Sequence, residues 1–486
     1  MSDRPGLAPD DDTERRVADW LAHGPDELPD HVLQEVILQT AVTPQARRRF
    51  LGRWLDRDEG VGGRASAPWP RGEARRHVPM SLAAVVAALA LVAVAVPLTR
   101  PESDAPTAGR ELVVAANGAG EFLTVQEAVA AAPPGSLVRV KAGRYEGPIS
   151  LDKDLSLVGD GGRGSVVITA PASSVAAGTE LAGWGRNEPD RPHVLLLGGG
   201  TVTVSDLTIE TPLGGTGLEA IGGSPLIERV SIVHSGRDPL DDDIYSMGFY
   251  GLVTPTVRDS EWDGYVAVRD GAAVTFEGNT VSRGGLSIDG PGVTYVRANT
   301  FVDGAWVNTT AAVSTVEGNT FEGGNVTADV GSEISIRHNT FRSLRSPEGE
   351  FAIEARDAGT RAVIAANVVE DAAKGVWIGT GVAAEVSGNQ LSTSVTGINT
   401  SGSGNVALDG NTITGEGAGI IVVSGSAPTI TDNTIEVTGR GIVISGNASP
   451  TIDGNDICGG VGDFHLWEGA TPDMGENDLC GESSSG

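Results

Sequence analysis

Carboxylates and guanidinium groups recur at matched positions along one stretch of this chain, between Asp263 and Asp329. Side chains alternate along a strand, so four successive segments point outward with Asp263, Tyr265 and Arg269, with Arg283, Ser287 and Asp289, with Asp303 and Thr309, and with Asn325 and Asp329. Two carboxylates flanking one bond are what glycoside cleavage uses, and a guanidinium holds a sugar carboxylate in two hydrogen bonds. Asp289 and Asp303 are therefore the candidate acid and base. Asp263, Tyr265, Arg269, Arg283 and Asp329 are the candidate substrate-binding groups. Glu354 and Arg356 extend the column if the insertion at 344–350 loops out. The competing reading is a ladder of surface ion pairs that only keeps the chain soluble.

Other chemistry is sparser. The segment SGRDPLDDDIYSMGFYG (235–251) carries Asp238, Asp241, Asp242 and Asp243. An oxygen-rich loop of this kind favours Ca2+, here at Asp241–Asp243, although no EF-hand spacing is present and a solvated charge run is the plainer reading. Otherwise no cofactor is expected. Seven scattered histidines and four methionines form no cluster that would hold copper. His234, His338 and His465 lack a repeated acidic partner and read as turn or packing residues. Trp184, Trp262, Trp306, Trp377 and Trp467 would stack on sugar rings where they face outward, and Trp377 stands at an outward position between Val376 and Ile378.

These groups must be placed by something periodic. Asparagines recur at Asn279, Asn299, Asn319, Asn339, Asn367, Asn389, Asn411, Asn433, Asn455 and Asn477, spaced by 20, 20, 20 and 28 residues and then by 22. Most lie in the string G-N-T-[FIV], after an alternating run such as EISIR and before another such as GVWIG. Three short strands and three turns in each period make one turn of a parallel β-solenoid. Asparagine suits the stacked turns because it tolerates left-handed backbone and hydrogen-bonds its neighbour. Thr124 and Glu127 form a capping box for a short helix with apolar Val125, Ala128 and Val129, the expected lid on the first turn. NDICG (455–459) and NDLCG (477–481) are one element repeated 22 residues on. Cys458 and Cys480 then sit about 4.8 Å apart on adjacent turns, within disulfide range.

The segment EFLTVQEAVAAAPPGSLVRVKAGRYEGPISLDKDLSLVGDG (121–161) resembles the opening of pectin methylesterases, and the GNT repeats resemble the pectin-lyase-like fold. The resemblance implies an all-β, single-stranded right-handed parallel β-helix with an N-terminal capping helix over 121–486. The esterase segments that supply two catalytic aspartates have no counterpart here. KGVWIGT (374–380) is similar to a pectate lyase strand, but Gly379 and Thr380 replace its Asp and His.

The remainder divides into a helical cytoplasmic head (1–57), a linker (58–78), a transmembrane helix (79–98) and a second linker (99–120). Met80–Leu98 is 19 residues without a charge, long enough to cross a bilayer core. Arg64, Arg71, Arg75 and Arg76 precede it, which predicts an N-terminus in the cytoplasm and an extracytoplasmic β-helix at the cell membrane. The partner of the head is open. Net charge is -30, and residues 101–486 hold 21 basic against 50 acidic side chains; such a surface excludes nucleic acid. The functional expectation is recognition or processing of a polysaccharide. The alternative is a non-catalytic structural or adhesive ectodomain coupled to a cytoplasmic interaction head.

Overall fold

Each repeat of the described chain closes one turn of a coil, and every strand pairs in parallel with its equivalent one turn away. The computed structural model describes residues 109–170, 193–211, 215–234, 245–344, 349–402, 404–467 and 469–480. The head, both linkers up to 108, the membrane candidate and the acidic run at Asp238–Asp243 lie outside these residues. Among the described residues no helix is long and apolar enough to cross a membrane.

The coil has three faces. The first is a sheet of 16 strands, from Glu111–Val114 to Asp473–Met474. The second and third faces form one sheet of 25 strands. They merge because strands such as Glu261–Arg269, Thr280–Asp289, Val368–Ile378 and Gln390–Ser401 run through the shared corner. Alternation creates the inside and the outside. In Glu333–Arg337 the sequence EISIR buries Ile334 and Ile336 and turns Glu333 and Arg337 to solvent.

The core is a set of columns. Phe301, Phe321 and Phe341 stack face to face, with centroids 4.5 and 4.7 Å apart. Beside them runs the asparagine column, fully buried at most turns. Each Oδ1 accepts the backbone N–H and the Nδ2 of the preceding asparagine; Asn299 Oδ1 takes both from Asn279 at 2.9 Å. The second hydrogen of each Nδ2 goes to a strand carbonyl, such as Val257 for Asn279. Every buried amide of the column is thereby satisfied without a bulky side chain.

The short helix α1, Val125–Ala131, closes the coil's first turn. Its N-cap Thr124 accepts from the Glu127 N–H at 3.3 Å, and Val125, Ala128 and Val129 face the core. The strand Glu111–Val114 precedes the helix and pairs with Ser136–Val140. The β-helix therefore begins upstream of residue 121, because the lid is inserted after the first strand of the coil and not before it. At the other end Cys458 and Cys480 are disulfide-bonded, with Cα atoms 4.9 Å apart.

Candidate functional site

Outward positions of the third face fall into register columns. Val266, Leu286, Val307 and Val326 align inside, as do Val268, Ile288, Thr309 and Ala328. Outside, one column runs Tyr250, Arg269, Asp289, Thr310 and Asp329. A parallel one runs Ala267, Ser287, Asn308, Thr327, Glu354, Trp377 and Asn399. Small side chains open the second column, with Tyr265 and Trp306 on the same strands beside them, and Trp377 stands near its other end.

At the upper end Tyr265 lies between Tyr245 and Trp306, with ring centroids 6.2 and 5.7 Å away. Behind them His234 Nδ1 meets Asp263 Oδ1 at 2.9 Å, and its Nε2 faces the Tyr245 carbonyl at 3.4 Å. Arg283 pairs with the other oxygen of Asp263 at 2.8 Å. The imidazole is buried with both nitrogens on protein acceptors. It ties three strands together, and both ring nitrogens are engaged within the protein rather than turned to solvent.

At the lower end Phe351 stacks on Trp377 at 6.3 Å. Arg356 lies 5.9 Å from the indole centroid, and Lys374 Nζ lies 5.4 Å from the Phe351 ring. Buried Glu354 accepts from the Phe351 N–H at 2.9 Å and from Arg356 Nε at 2.6 Å. Burial lowers the Arg356 pKa, and the Glu354 hydrogen bond outweighs it, so the guanidinium is held above its ordinary value. Phe351 directly follows the insertion read from sequence at 344–350, whose described end at 349–350 leads into this wall. Next to Trp377, Asn399 Oδ1 is shielded from solvent without a hydrogen-bond partner in the protein. A ligand hydroxyl is the kind of donor that would complete it.

Arg269 and Asp289 are register neighbours on the same turns as the upper aromatic rings, four residues further along their strands. Among the described residues neither forms an ion pair. Asp329 accepts from Asn308 Nδ2 at 3.2 Å.

The geometry corrects several positions read from sequence. Asp303 does not join Asp289. It occupies the corner turn, with φ 56°, three residues before the strand Trp306–Thr310 and seven before Thr310, the register partner of Asp289. That left-handed residue restarts the alternation. Thr309, expected outside, is fully buried, and Asn308 and Thr310 point out instead. Arg283 is the extra residue of a bulge, since Asp263 pairs with Ser282 and Gly264 with Gly284. It reaches back to Asp263 and not into the strip. Asn325 is buried and bonds Glu350 at 2.7 Å. Tyr265, Arg269, Asp289 and Asp329 share the strip; Asp263 and Arg283 support its upper edge. Trp377 faces outward, as the alternation required. The His234–Asp263 contact had no sequence signal, because it joins residues 29 apart across an irregular turn.

Residues 325–479 match the family described as right handed beta helix region. No curated protein matches the sequence. Solved structures match in fold at low identity. The periplasmic alginate epimerase AlgG is 11% identical with a TM-score of 0.34, covering 58% of this chain and 77% of its own. The mannuronan C-5 epimerase A-module of Azotobacter vinelandii is 14% identical with a TM-score of 0.32, covering 74% and 94%. Pectin methylesterase from carrot is 16% identical with a TM-score of 0.27, covering 58% and 85%.

Proposed function

We propose that this right-handed parallel β-helix, of the pectin-lyase-like fold, recognises an extended polysaccharide laid along its third face. One observation carries the reading. Arg269 and Asp289 face outward side by side, unpaired with each other or with other described residues, on a strip flanked by Tyr265–Trp306 on the same turns and bounded further along the coil by Phe351–Trp377. Aromatic faces hold the apolar faces of sugar rings, and a free guanidinium holds a uronate carboxylate. The polymer axis then follows the columns, one turn of the coil every 4.8 Å or so.

If the bound chain is cleaved, Asp289 and Asp329 are the better pair. They share a column two turns apart, roughly 9.6 Å, a separation that leaves room for a water between carboxylates. The second reading is a non-catalytic adhesive surface. The internal ion pairs Asp263–Arg283 and Glu354–Arg356 favour it, since they spend charge on holding the strip rigid. In either reading the run Met80–Leu98 holds the β-helix at the outer side of a membrane.

Calorimetric titration of the full chain with uronate-rich and neutral polysaccharides tests the proposal. Binding of at least one polymer, weakened about tenfold by Trp377→Ala and by Arg269→Ala, is the expected result. Binding indifferent to both substitutions would reject this face.

A further inference from the structure

The first face carries a pattern that the other two lack. On six consecutive turns one outward register column reads Glu228, Arg258, Glu277, Arg297, Glu317 and Arg337. The sign of the charge alternates at every step.

Neighbours about 4.8 Å apart are close enough to neutralise one another along the column. Only the first two do so, with Arg258 Nε donating to Glu228 at 2.9 Å. Arg297 turns sideways over the Tyr295 ring, 4.5 Å from its centroid. Arg337 Nε donates to Ser335 on its own strand at 2.8 Å. Among the described residues Glu277, Arg297, Glu317 and Arg337 form no ion pair, and all four are exposed. Beside them the register neighbours Val293 and Val313 are 40% and 42% exposed. A flat face with four uncompensated alternating charges and exposed valines is an interface in composition.

We propose that this face binds a second copy of the chain, the two coils running antiparallel about a two-fold axis. The axis lies in the interface, parallel to the strands, between the strands that end in Glu277 and Arg297. It maps the six turns onto their reverse order. Glu277 then meets Arg297 of the second copy, Arg258 meets Glu317, and Glu228 meets Arg337, each pair twice. The outermost pair contributes least, because Glu228 is already held by Arg229 and Arg258. The neighbouring columns fit the same operation: Ala273 faces Val293, and Thr275 faces Tyr295, small against large. Running the coils parallel about an axis along the coil sets Glu on Glu and Arg on Arg, which costs several kcal/mol. An isologous contact of this kind closes on itself and stops at two copies. Six turns by about 15 Å of strand bury roughly 430 Å² per copy, at the low end for specific complexes. The dimer is accordingly weak, and salt weakens it further.

Charge swaps separate this contact from a ladder that serves only its own coil. Glu277→Arg alone opposes arginine to Arg297 and should raise the dimer dissociation constant about tenfold or more. Adding Arg297→Glu restores opposite signs across the axis while placing like charges side by side within each coil. Sedimentation velocity of the full chain in detergent, over a concentration series at low and high salt, reads the result. The expected order is a dimer for the parent, monomer for Glu277→Arg, and a dimer again for the double swap. A separate chain with Arg258→Cys and Glu317→Cys places two thiols three turns apart, about 14 Å, too far to bridge within one coil. Mild oxidation should cross-link it only as a covalent dimer. A parent that stays monomeric, a dimer untouched by Glu277→Arg, or a double swap no better than the single one would each overturn the proposal.

Discussion

Trp306 occupies the space that a side chain at Gly285 would need. A Cβ built on Gly285 falls 2.7 Å from Trp306 Cδ2 and 2.3 Å from its carbonyl oxygen. The missing side chain lets the indole lean back across its neighbour turn to Tyr265. The upper aromatic platform therefore depends on a residue that carries no chemistry of its own.

Gly285→Ala should push the indole out and separate it from Tyr265. Overpacking at so tight a contact costs roughly 1–3 kcal/mol. The expected outcome is a lower denaturation midpoint together with weaker polysaccharide binding. Tryptophan fluorescence checks the ring's displacement directly; a spectrum and affinity equal to the parent's would show that the platform does not depend on Gly285.

The asparagine column offers a graded test. Asn319→Ala strips the acceptor from the backbone N–H and Nδ2 of Asn299 and the donor from the Val296 carbonyl. Each buried group left unmade costs about 1–3 kcal/mol, so several kcal/mol are expected in urea unfolding. Asn477→Ala removes the equivalent groups where the column meets solvent. It should cost clearly less. Equal penalties at both positions would mean that burial does not set the worth of the column.

The Cys458–Cys480 bridge closes a loop of 22 residues at the coil's end. A loop of this length contributes about 3 kcal/mol when the bond forms. Unfolded, unreduced protein should present no thiol to iodoacetamide. Hydrogen exchange in the Cys458→Ser, Cys480→Ser variant should speed up after residue 455 and remain slow near Asn319. Two alkylated thiols in the unreduced parent would count against the bridge.

Acid should loosen the first face near Arg229. A hydrogen bond from Arg229 holds the Asp206 carboxyl below its ordinary range. Burial pushes Glu228 up, but the Arg258 and Arg229 hydrogen bonds outweigh it, so its pKa is also lowered. Carboxyls depressed on folding stabilise the protein above the unfolded carboxylate pKa of about 4, and that stability is lost as pH falls through the folded values. Arg229→Gln should therefore narrow the stability difference from the parent as pH drops from 6 toward 2. Thermal melts across that range decide it, and a gap that widens in acid would contradict the assignment.

The coil was legible because its asparagines keep count: the spacing of Asn279 to Asn477 sets the register of every turn, and through it the neighbours Arg269 and Asp289. Legibility failed where the backbone breaks alternation. Asp303 adopts a left-handed conformation and Arg283 sits in a bulge, so counting by twos across either position assigns the wrong side. The His234–Asp263 contact and the platform over Gly285 were invisible for a different reason, since both depend on how side chains lean between turns. The charge column on the first face was present in the sequence throughout. It emerges only when residues 19 to 30 apart are aligned by strand pairing.

Every asparagine amide in the column faces the same way, its oxygen toward the preceding turn and its nitrogen toward the next. An interior link therefore sees the same partners whichever turn it occupies. Removing 412–433 would leave Asn411 donating to Asn455, and would set Ile398 beside Ile442 where each now meets Ile420. Nothing in the hydrogen bonding registers how many links there are. Length is thus a free variable of this molecule, adjustable in steps of about 4.8 Å, and how far it reaches can change without any change in how it folds.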